Sequence, residues 1–285
     1  MKETRRKLLV FSPVFYQHCI IMDIWQESFD LRFAGVDRSD RLTLAWAFAF
    51  FQEAAISHAT ALGVGRNALA DSGQAWVLSR FSVFMEQRPG YGENITVRTW
   101  PRGSEKLFAL RDYEISESSG KALVRGRASW LVLDLEKRRP LRIEPIIEKL
   151  PLNEGKNALL SGPLSIASSL DLVTAGERQA VYSDIDYYGH VNNVRYIQWI
   201  QDMIPPDLLD RADQLRLDIN YLGETMPGEK VELFYTPISC VPNCKSPDLQ
   251  TQDYPVSPSA AFAYEGRKTA QGQTVFRAEL RMGQN

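Results

Sequence analysis

The order of one strand, one long apolar helix and several further strands occurs twice in this chain of 285 residues. Residues 25–33 alternate apolar and polar side chains, which predicts a strand. Residues 42–62 lack Gly and Pro and are apolar around most of the helix, so we expect a long buried helix. Further strand-like runs follow at residues 75–86, 94–99, 108–116 and 121–134. Such a helix is best accommodated inside a curled sheet.

The second half of the chain follows the same order as the first. When Asp37 is aligned with Asp186, the same offset places Leu42 on Val191, where the second predicted helix begins. Other matches occur in the same order, including the Gly-Glu pairs of two later turns. This pattern indicates a tandem duplication.

The boundaries of the two units follow from composition. Pro, Gly, Asn and Ser are concentrated between residues 144 and 176, which is typical of a linker. The chain begins with basic residues and a short apolar run, but no cleavage site follows, so we expect an extension, with Met22 as an alternative start. We predict an N-terminal extension at 1–24, a first unit at 25–150, a linker at 151–176 and a second unit at 177–285.

A dense group of polar residues precedes the helix of the second half. Asp186 and His190 lie just before apolar positions that recur every three to four residues until Pro205. The first N–H groups of a helix are unpaired, and the helix dipole favours negative charge there. We therefore predict that backbone N–H groups around Gly189, His190 and Val191 bind an oxyanion.

The alternative interpretation is that Asp186 and Asn192 only cap the helix and that His190 is a satisfied polar residue. Glu224 favours a site, because it follows an alternating run at residues 215–221 and would be held at a strand end. A fixed carboxylate and an imidazole at a helix start can together activate water. The matching place in the first half has an Asp but no His, so we expect only the second half to carry chemistry.

Composition excludes several classes of function. The chain is 44% hydrophobic and 24% charged, with a net charge of -2, which is typical of a globular protein without a field that attracts nucleic acid or an anionic membrane. No run reaches the roughly 18 apolar residues of a membrane helix. No phosphate loop or dinucleotide fingerprint is present, so we expect no cofactor.

Cysteine usage and isolated candidate residues add little chemistry. The odd number of cysteines, Cys19, Cys240 and Cys244, argues against a disulfide framework and favours a reducing compartment, so we expect a cytoplasmic protein. No further ligands lie near Cys240 and Cys244, so we expect no metal site. Ser183 lacks the glycines of a nucleophile elbow, and His58, on the apolar first helix, is interpreted as a core residue.

The motifs of the second half, SDIDYYGHVNNVRYIQW at 183–199 and NYLGET at 220–225, closely resemble those of the acyl-acyl carrier protein thioesterases of plants and their bacterial relatives. The first half agrees through the motifs WQESF, VDR, QEAA, ALGV, WVLSR, TWPRG and LFALRD. The resemblance extends from about residue 25 to 281. It implies an α+β fold, a tandem double hotdog in which a curved antiparallel sheet wraps a long helix in each unit.

The resemblance also implies the reaction, which is hydrolysis of the thioester between a fatty acyl chain and the phosphopantetheine arm of acyl carrier protein. Asp186, His190 and Glu224 match the family's catalytic positions, and the acyl chain is expected to lie toward the first unit. We expect Glu224 or Asp186 to deprotonate or orient water and His190 to hydrogen-bond the water or the thioester. Because one chain supplies both hotdogs, a monomer is as compatible with the sequence as a homodimer.

The chain departs from the plant pattern at two positions. Tyr188 replaces an Asn, and its phenol can donate one hydrogen bond but cannot offer both amide groups. We group Tyr188 with Gly189, Val191 and Asn192 as candidate substrate or oxyanion residues. Thr225 replaces a Cys, which favours attack by water.

An acidic carrier protein requires a basic landing surface. The candidates are Arg102, Lys106, Arg111, the run Lys137, Arg138 and Arg139, and Arg195. Three alternatives remain open: a hydrolase of acyl-coenzyme A, a catalytically weak acyl-carrier binding protein in which Tyr188 has spoiled the site, and an enzyme that hydrates or dehydrates a hydroxyacyl chain.

Overall fold

A computed structural model of the protein describes residues 23–153, 155–238 and 258–283. In these residues each half contains a long helix and five main strands, with two short helices in the first half and one in the second. The elements of the first half are β1 (Trp25–Asp30), α1 (Leu44–Ala61), α2 (Arg66–Ala70), β2 (Gln74–Met85), β3 (Asn94–Glu105), β4 (Phe108–Glu117), β5 (Ala122–Asp134), β6 (Arg139–Pro140) and α3 (Glu144–Ile147). Those of the second are β7 (Val173–Gln179), α4 (Asn193–Asp202), α5 (Pro206–Arg211), β8 (Gln214–Tyr221), β9 (Lys230–Pro237), β10 (Pro258–Lys268) and β11 (Thr274–Gly283).

The strands of the described residues form one antiparallel sheet. Its order is β1-β3-β4-β5-β2-β8-β11-β10-β9-β7, with β6 added beside β5. The strand order is symmetric about the centre of the sheet. Each strand of the first half has its counterpart at the mirrored position in the second half. The halves meet where β2 pairs with β8, and Ser82 lies opposite Asp218 at the centre of this pairing. The predicted α+β double hotdog is confirmed.

The two long helices pack against each other under this sheet, and one apolar core continues across both halves. Thr43 caps α1 by accepting a hydrogen bond from the N–H of Trp46 at 3.2 Å. Phe48 and Phe51 of α1 contact Phe81 on β2, with ring centroids 4.7 and 6.0 Å apart. His58 is fully buried on α1, as expected for a core residue.

Both long helices begin later than the apolar pattern predicted. Leu42 and Val191, the predicted first residues, instead form isolated β-bridges with Val36 and Ile185. Each bridge closes a turn, which we call the first-half turn (residues 36–42) and the second-half turn (residues 185–191). Periodicity did not reveal this because an apolar side chain in a bridge and one in a helix can both point into the core.

The two turns match in detail. The N–H of Asp37 donates to the carbonyl of Arg41, and the N–H of Asp186 donates to the carbonyl of His190, both at 2.9 Å. Asp40 and Gly189 occupy the equivalent left-handed position, with φ of 56° and 86°. This correspondence supports the alignment that placed Asp37 on Asp186.

The stretch between the halves is fastened to the sheet. The side-chain oxygen of Asn220 accepts from the N–H of Ile166 at 2.7 Å, and its amide nitrogen donates to the carbonyl of Leu164 at 2.9 Å. β7 begins at Val173, inside the range assigned to the linker, and pairs with β9. Its side chains are all exposed, which gives this edge strand no apolar alternation to recognise.

Some sequence expectations lie outside the described residues, namely those on the chain start up to Met22 and on Cys19, Cys240 and Cys244. Within residues 23–153, 155–238 and 258–283, no group of three His, Cys, Asp or Glu side chains could hold a metal ion. None of the helices described there is long and apolar enough to cross a membrane.

Candidate active site

Asp186 shapes the second-half turn. Its Oδ1 accepts a hydrogen bond from the N–H of Tyr188 at 2.8 Å. Its backbone carbonyl accepts from the N–H of Gly189 at 3.0 Å. One carboxylate oxygen is therefore committed to the turn that positions His190.

The backbone of the turn corrects the predicted oxyanion donors. The N–H of Gly189 is used within the turn, and the N–H of Val191 donates to the carbonyl of Thr225 at 2.9 Å. Neither is free to bind an oxyanion, so these two assignments are wrong. The N–H of His190 makes no hydrogen bond within the described part of the chain, so it is the candidate donor that remains.

Asn192 caps α4. Its side-chain oxygen accepts from the N–H of Val194 at 2.9 Å, and α4 begins at the next residue. The capping interpretation therefore holds for Asn192, and its grouping with the substrate residues stays a prediction. Thr225 is also occupied, because its buried hydroxyl accepts from the phenol of Tyr196 at 2.8 Å.

His190 and Glu224 are brought together by the bond between the N–H of Val191 and the carbonyl of Thr225. This hydrogen bond joins the second-half turn to the segment after β8. His190 directly precedes Val191, and Glu224 directly precedes Thr225, so the bond places the two candidate catalysts side by side. The Nε2 of His190 lies 3.8 Å from the Oε1 of Glu224. The side chains are 28% and 44% exposed, so water can reach both. An imidazole and a carboxylate in this arrangement can share or exchange a proton with a water molecule.

The first half contributes two arginines to this site. The Nη2 of Arg138, in the turn after β5, donates to the Oε2 of Glu224 at 3.0 Å. The guanidinium carbon of Arg66, at the start of α2, lies 3.6 Å from the ring centre of Tyr187 and 5.7 Å from that of Tyr188. Sequence reasoning missed Arg66 and assigned Arg138 only to a landing surface, because both contacts cross between the halves.

Tyr188 covers one side of His190. The two rings are nearly parallel, at 5°, with centroids 6.4 Å apart. Burial raises the pKa of the Tyr188 phenol, so it stays protonated at neutral pH. Its hydroxyl makes no hydrogen bond among the residues that the structure describes, and the ring rather than the phenol contacts the imidazole.

The first-half turn holds different residues in the equivalent places. The N–H of Leu42 donates to the carbonyl of Pro89 at 2.8 Å, which corresponds to the hydrogen bond from Val191 to Thr225. Arg88 precedes Pro89 as Glu224 precedes Thr225. Arg88 therefore occupies the position equivalent to Glu224. Arg88 pairs with Asp37 at 2.7 Å and is almost fully buried. Its Nη2 donates to the carbonyl of Leu209, within α5, at 3.2 Å. The first-half turn is therefore a contact surface for the second half.

The candidate landing residues are dispersed. Arg111 is only 8% exposed because it points between the sheet and α1, so its assignment to a docking surface is wrong. Arg102 donates to the side chain of Asn157 at 2.8 Å, and Arg195 donates to the carbonyl of Ser183 at 2.7 Å. Arg139 is exposed in β6 and remains available for a partner.

Comparisons with known proteins find two family models in succession. The acyl-ACP thioesterase N-terminal domain matches residues 22–150, and the acyl-ACP thioesterase C-terminal domain matches residues 172–278. The chloroplastic palmitoyl-acyl carrier protein thioesterase of Gossypium hirsutum is 28% identical over 242 residues, which cover 77% of this chain and 57% of that protein. That of Cuphea hookeriana is 24% identical over 217 residues, 70% of this chain and 52% of the relative. The chain thus spans about half the length of such plant relatives.

Solved structures agree over most of the chain. An acyl-ACP thioesterase from Bacteroides thetaiotaomicron superimposes with a TM-score of 0.73 at 25% identity and covers 91% of this chain and 98% of its own. The 12:0-ACP thioesterase from Umbellularia californica gives a TM-score of 0.74 at 18% identity, over 91% of this chain and 96% of its own. The second comparison shows that the fold is shared.

Proposed function

The chain belongs to the acyl-acyl carrier protein thioesterase family, and we propose that it is a thioester hydrolase that converts fatty acyl-acyl carrier protein to free fatty acid and carrier protein. The observation that carries this proposal is the water-accessible pair of His190 and Glu224, 3.8 Å apart at the second-half turn. No cofactor or metal takes part, and the protein acts as a monomer or a homodimer. We propose the cytoplasm as its compartment, although the plant relatives are named as chloroplastic.

In the proposed mechanism, Glu224 accepts a proton from a water molecule whose oxygen attacks the thioester carbon. The carbonyl oxygen becomes an oxyanion, which the N–H of His190 stabilises. The carbon–sulfur bond then breaks, and the proton on Glu224 passes to the leaving thiolate. His190 holds the water against Glu224, and Asp186 positions His190 through the turn. The carboxylate of Asp186 already accepts a hydrogen bond from the N–H of Tyr188, which supports Glu224 rather than Asp186 as the general base.

The acyl chain is proposed to lie along α1 in the first half. Trp46 and Phe50 line a cavity of about 290 Å³ between α1 and β1. Phe48 faces the other way, against Phe81. Trp46 and Phe50, but not Phe48, therefore border the space available to a chain end.

The test is thiol release from a panel of acyl-acyl carrier protein and acyl-coenzyme A thioesters. A higher kcat/KM on the carrier protein supports the proposal, and a higher value on coenzyme A assigns the protein to the alternative carrier. Tight binding of acyl carrier protein without thiol release would instead favour the carrier-binding alternative.

Arg138 is expected to position Glu224. We predict that Arg138→Gln lowers kcat about two- to fivefold with little change in KM, because an ion pair this exposed to water is worth at most about 1 kcal/mol. Arg139→Gln is the matched control, since Arg139 is exposed in the same turn region. It should change KM for the carrier protein and leave kcat unaltered. If both variants changed KM equally and left kcat unaltered, Arg138 would be assigned to the surface that binds the carrier protein and not to the positioning of Glu224.

The ring of Tyr188, and not its hydroxyl, is expected to matter. We predict that Tyr188→Phe hydrolyses the thioester within about twofold of the parent, because the hydroxyl has no described partner while stacking with His190 is worth about 0.5–1.5 kcal/mol. Tyr188→Asn and Tyr188→Ala should lower kcat by several-fold through loss of the stack. A large loss in Tyr188→Phe would show instead that the phenol takes part in the reaction.

A further inference from the structure

A buried arginine without a carboxylate partner lies inside the half proposed to hold the acyl chain. Arg111, on β4, is 8% exposed and forms no ion pair within the described part of the chain. Its Nη1 lies 3.1 Å from the Nδ1 of His58 and 3.3 Å from the hydroxyl of Thr99. A guanidinium only donates, so the Nδ1 of His58 accepts this hydrogen bond. The Nε and Nη2 groups of Arg111 make no hydrogen bond to any described residue.

The other buried arginines of the sheet show how unusual this is. Arg127 pairs with Asp112, and Arg216 pairs with Asp218, at 2.6 and 2.8 Å. A buried charge without a counter-ion is costly, and replacing it by an apolar side chain is often neutral or stabilising. Burial lowers the pKa of Arg111 but leaves a group that donates hydrogen bonds. Packing alone therefore gives no reason for a guanidinium at this position.

The Arg111 cluster (Arg111, His58 and Thr99) lies at one end of a seam between α1 and β1. Trp46, Phe50 and His58 of α1 all lie beside β1, since the first two line a cavity with β1 residues and His58 stacks on a β1 ring. Along this seam Phe29 of β1 stacks on Phe50, and Trp25 stacks on His58, with centroids 5.4 and 6.1 Å apart. The seam is about 18 Å long from Trp46 to His58, given the rise of a helix.

One end of the seam lies at the corner where α1 leads into α2, and Arg66 of α2 contacts the second-half turn. The cavity with Trp46 and Phe50 lies at the far end. The Arg111 cluster lies at the corner end. Ala109, two residues before Arg111 on the same face of β4, packs in one cluster with Val64 and Leu69 at this corner. A chain that entered from the second-half turn would therefore pass the guanidinium before it reached the cavity.

We propose that the Arg111 cluster binds an oxygen function carried by the acyl chain, which makes oxygenated acyl groups, such as oxoacyl or carboxyacyl chains, preferred substrates. This inference rests on the proposed thioester hydrolysis and on the acyl chain lying in the first half. The unused N–H groups of Arg111 donate to the oxygen, and Thr99 and His58 fix the orientation of the guanidinium. The position of the cluster favours an oxygen near the thioester over one at the far end.

The test compares three acyl carrier protein thioesters of equal chain length: one unsubstituted, one with an oxo group near the thioester and one with a carboxyl group at the far end. For the parent we expect kcat/KM to be highest on an oxygenated substrate. In Arg111→Met the ratio of oxygenated to unsubstituted kcat/KM should fall about tenfold or more, since one hydrogen bond to a charged group is lost. The matched control Arg98→Met removes an arginine paired with Glu114 and should keep the ratio of the parent.

Stability separates a binding role from a structural one. Arg111→Met should unfold at the same or a higher temperature than the parent, because it removes an unpaired buried charge. A lower melting temperature together with an unchanged substrate ratio would overturn the proposal. If Arg111→Met does not fold, Thr99→Val, which keeps the shape of the side chain, should still reduce the ratio, and an unchanged ratio would overturn the proposal.

A binding measurement tests the Arg111 cluster independently of thioester hydrolysis. Free fatty acids with and without the same oxo or carboxyl group are added to the intact protein, and the change in melting temperature is recorded. A larger stabilisation by the oxygenated acid, absent in Arg111→Met, supports the site even if no thioester is hydrolysed. Equal stabilisation by all the acids in both proteins would overturn it.

Discussion

Replacing Glu224 with Gln is expected to lower kcat for acyl-acyl carrier protein by about 10²- to 10⁴-fold, the usual contribution of a positioned general base. The substitution preserves the shape of the side chain and an acceptor for Arg138, but it removes the group that takes the proton from water. His190→Ala should cause a loss of similar size. The double variant should be little worse than either single one, because residues that act as a unit are not additive. Initial rates of thiol release at saturating substrate measure the effect.

Two comparisons make this result specific. Glu136→Gln changes an exposed carboxylate close to Arg138 in sequence and should leave kcat unchanged. Asp186→Asn retains the oxygen that accepts from the N–H of Tyr188 and should cost less than Glu224→Gln. A greater loss in Asp186→Asn, with Glu224→Gln near the parent rate, would assign the general base to Asp186.

Replacing Arg127 with Met is expected to lower the free energy of unfolding by about 3–5 kcal/mol, the cost of leaving a buried charge without its partner. Asp112 is fully buried, and its two oxygens accept from Arg127 at 2.6 and 2.7 Å. One of them also accepts from the N–H of Ala158 at 2.8 Å, which holds the stretch between the halves on the sheet. Equilibrium unfolding in urea provides the measurement.

The double variant Asp112→Leu with Arg127→Met should regain only part of the stability lost in Arg127→Met, because it leaves no unpaired charge but removes the acceptor of the Ala158 N–H. Arg98→Met should cost at most about 1 kcal/mol, since its ion pair with Glu114 is partly exposed to water. If Arg127→Met destabilised the protein no more than Arg98→Met, Asp112 would have to find another partner in the folded state.

The fold could be predicted from the sequence because its largest features are periodic and repeated. The apolar stretch of α1 and the alternating runs identified the long helix and the main strands of the first half, and the alignment of Asp37 with Asp186 identified the duplication. The bridge at Val191 could not be predicted, since the hydrogen bond that its N–H makes to Thr225 leaves no mark on the side-chain pattern. That bond decides which N–H groups of the turn remain free.

The contacts of the candidate site could be predicted only in part for a similar reason. His190 and Glu224 belong to one half and lie in recognisable motifs, whereas the contact between Arg138 and Glu224 joins residues 86 positions apart in different halves. The error at Arg111 had a signal that could have prevented it. Ala109, Arg111 and Tyr113 alternate along β4, so the inward position of Tyr113 implied an inward Arg111 as well.

The mirrored strand order has an evolutionary consequence. In a pair of identical chains, a position that holds Glu in one copy must hold Glu in the other, so the two turns could never diverge. Joining the copies into one polypeptide removes that constraint, which is why Arg88 can anchor α5 at the place where Glu224 stands in the other half. Each chain should accordingly bind one equivalent of a non-hydrolysable acyl analogue and not two, a stoichiometry that calorimetry can count.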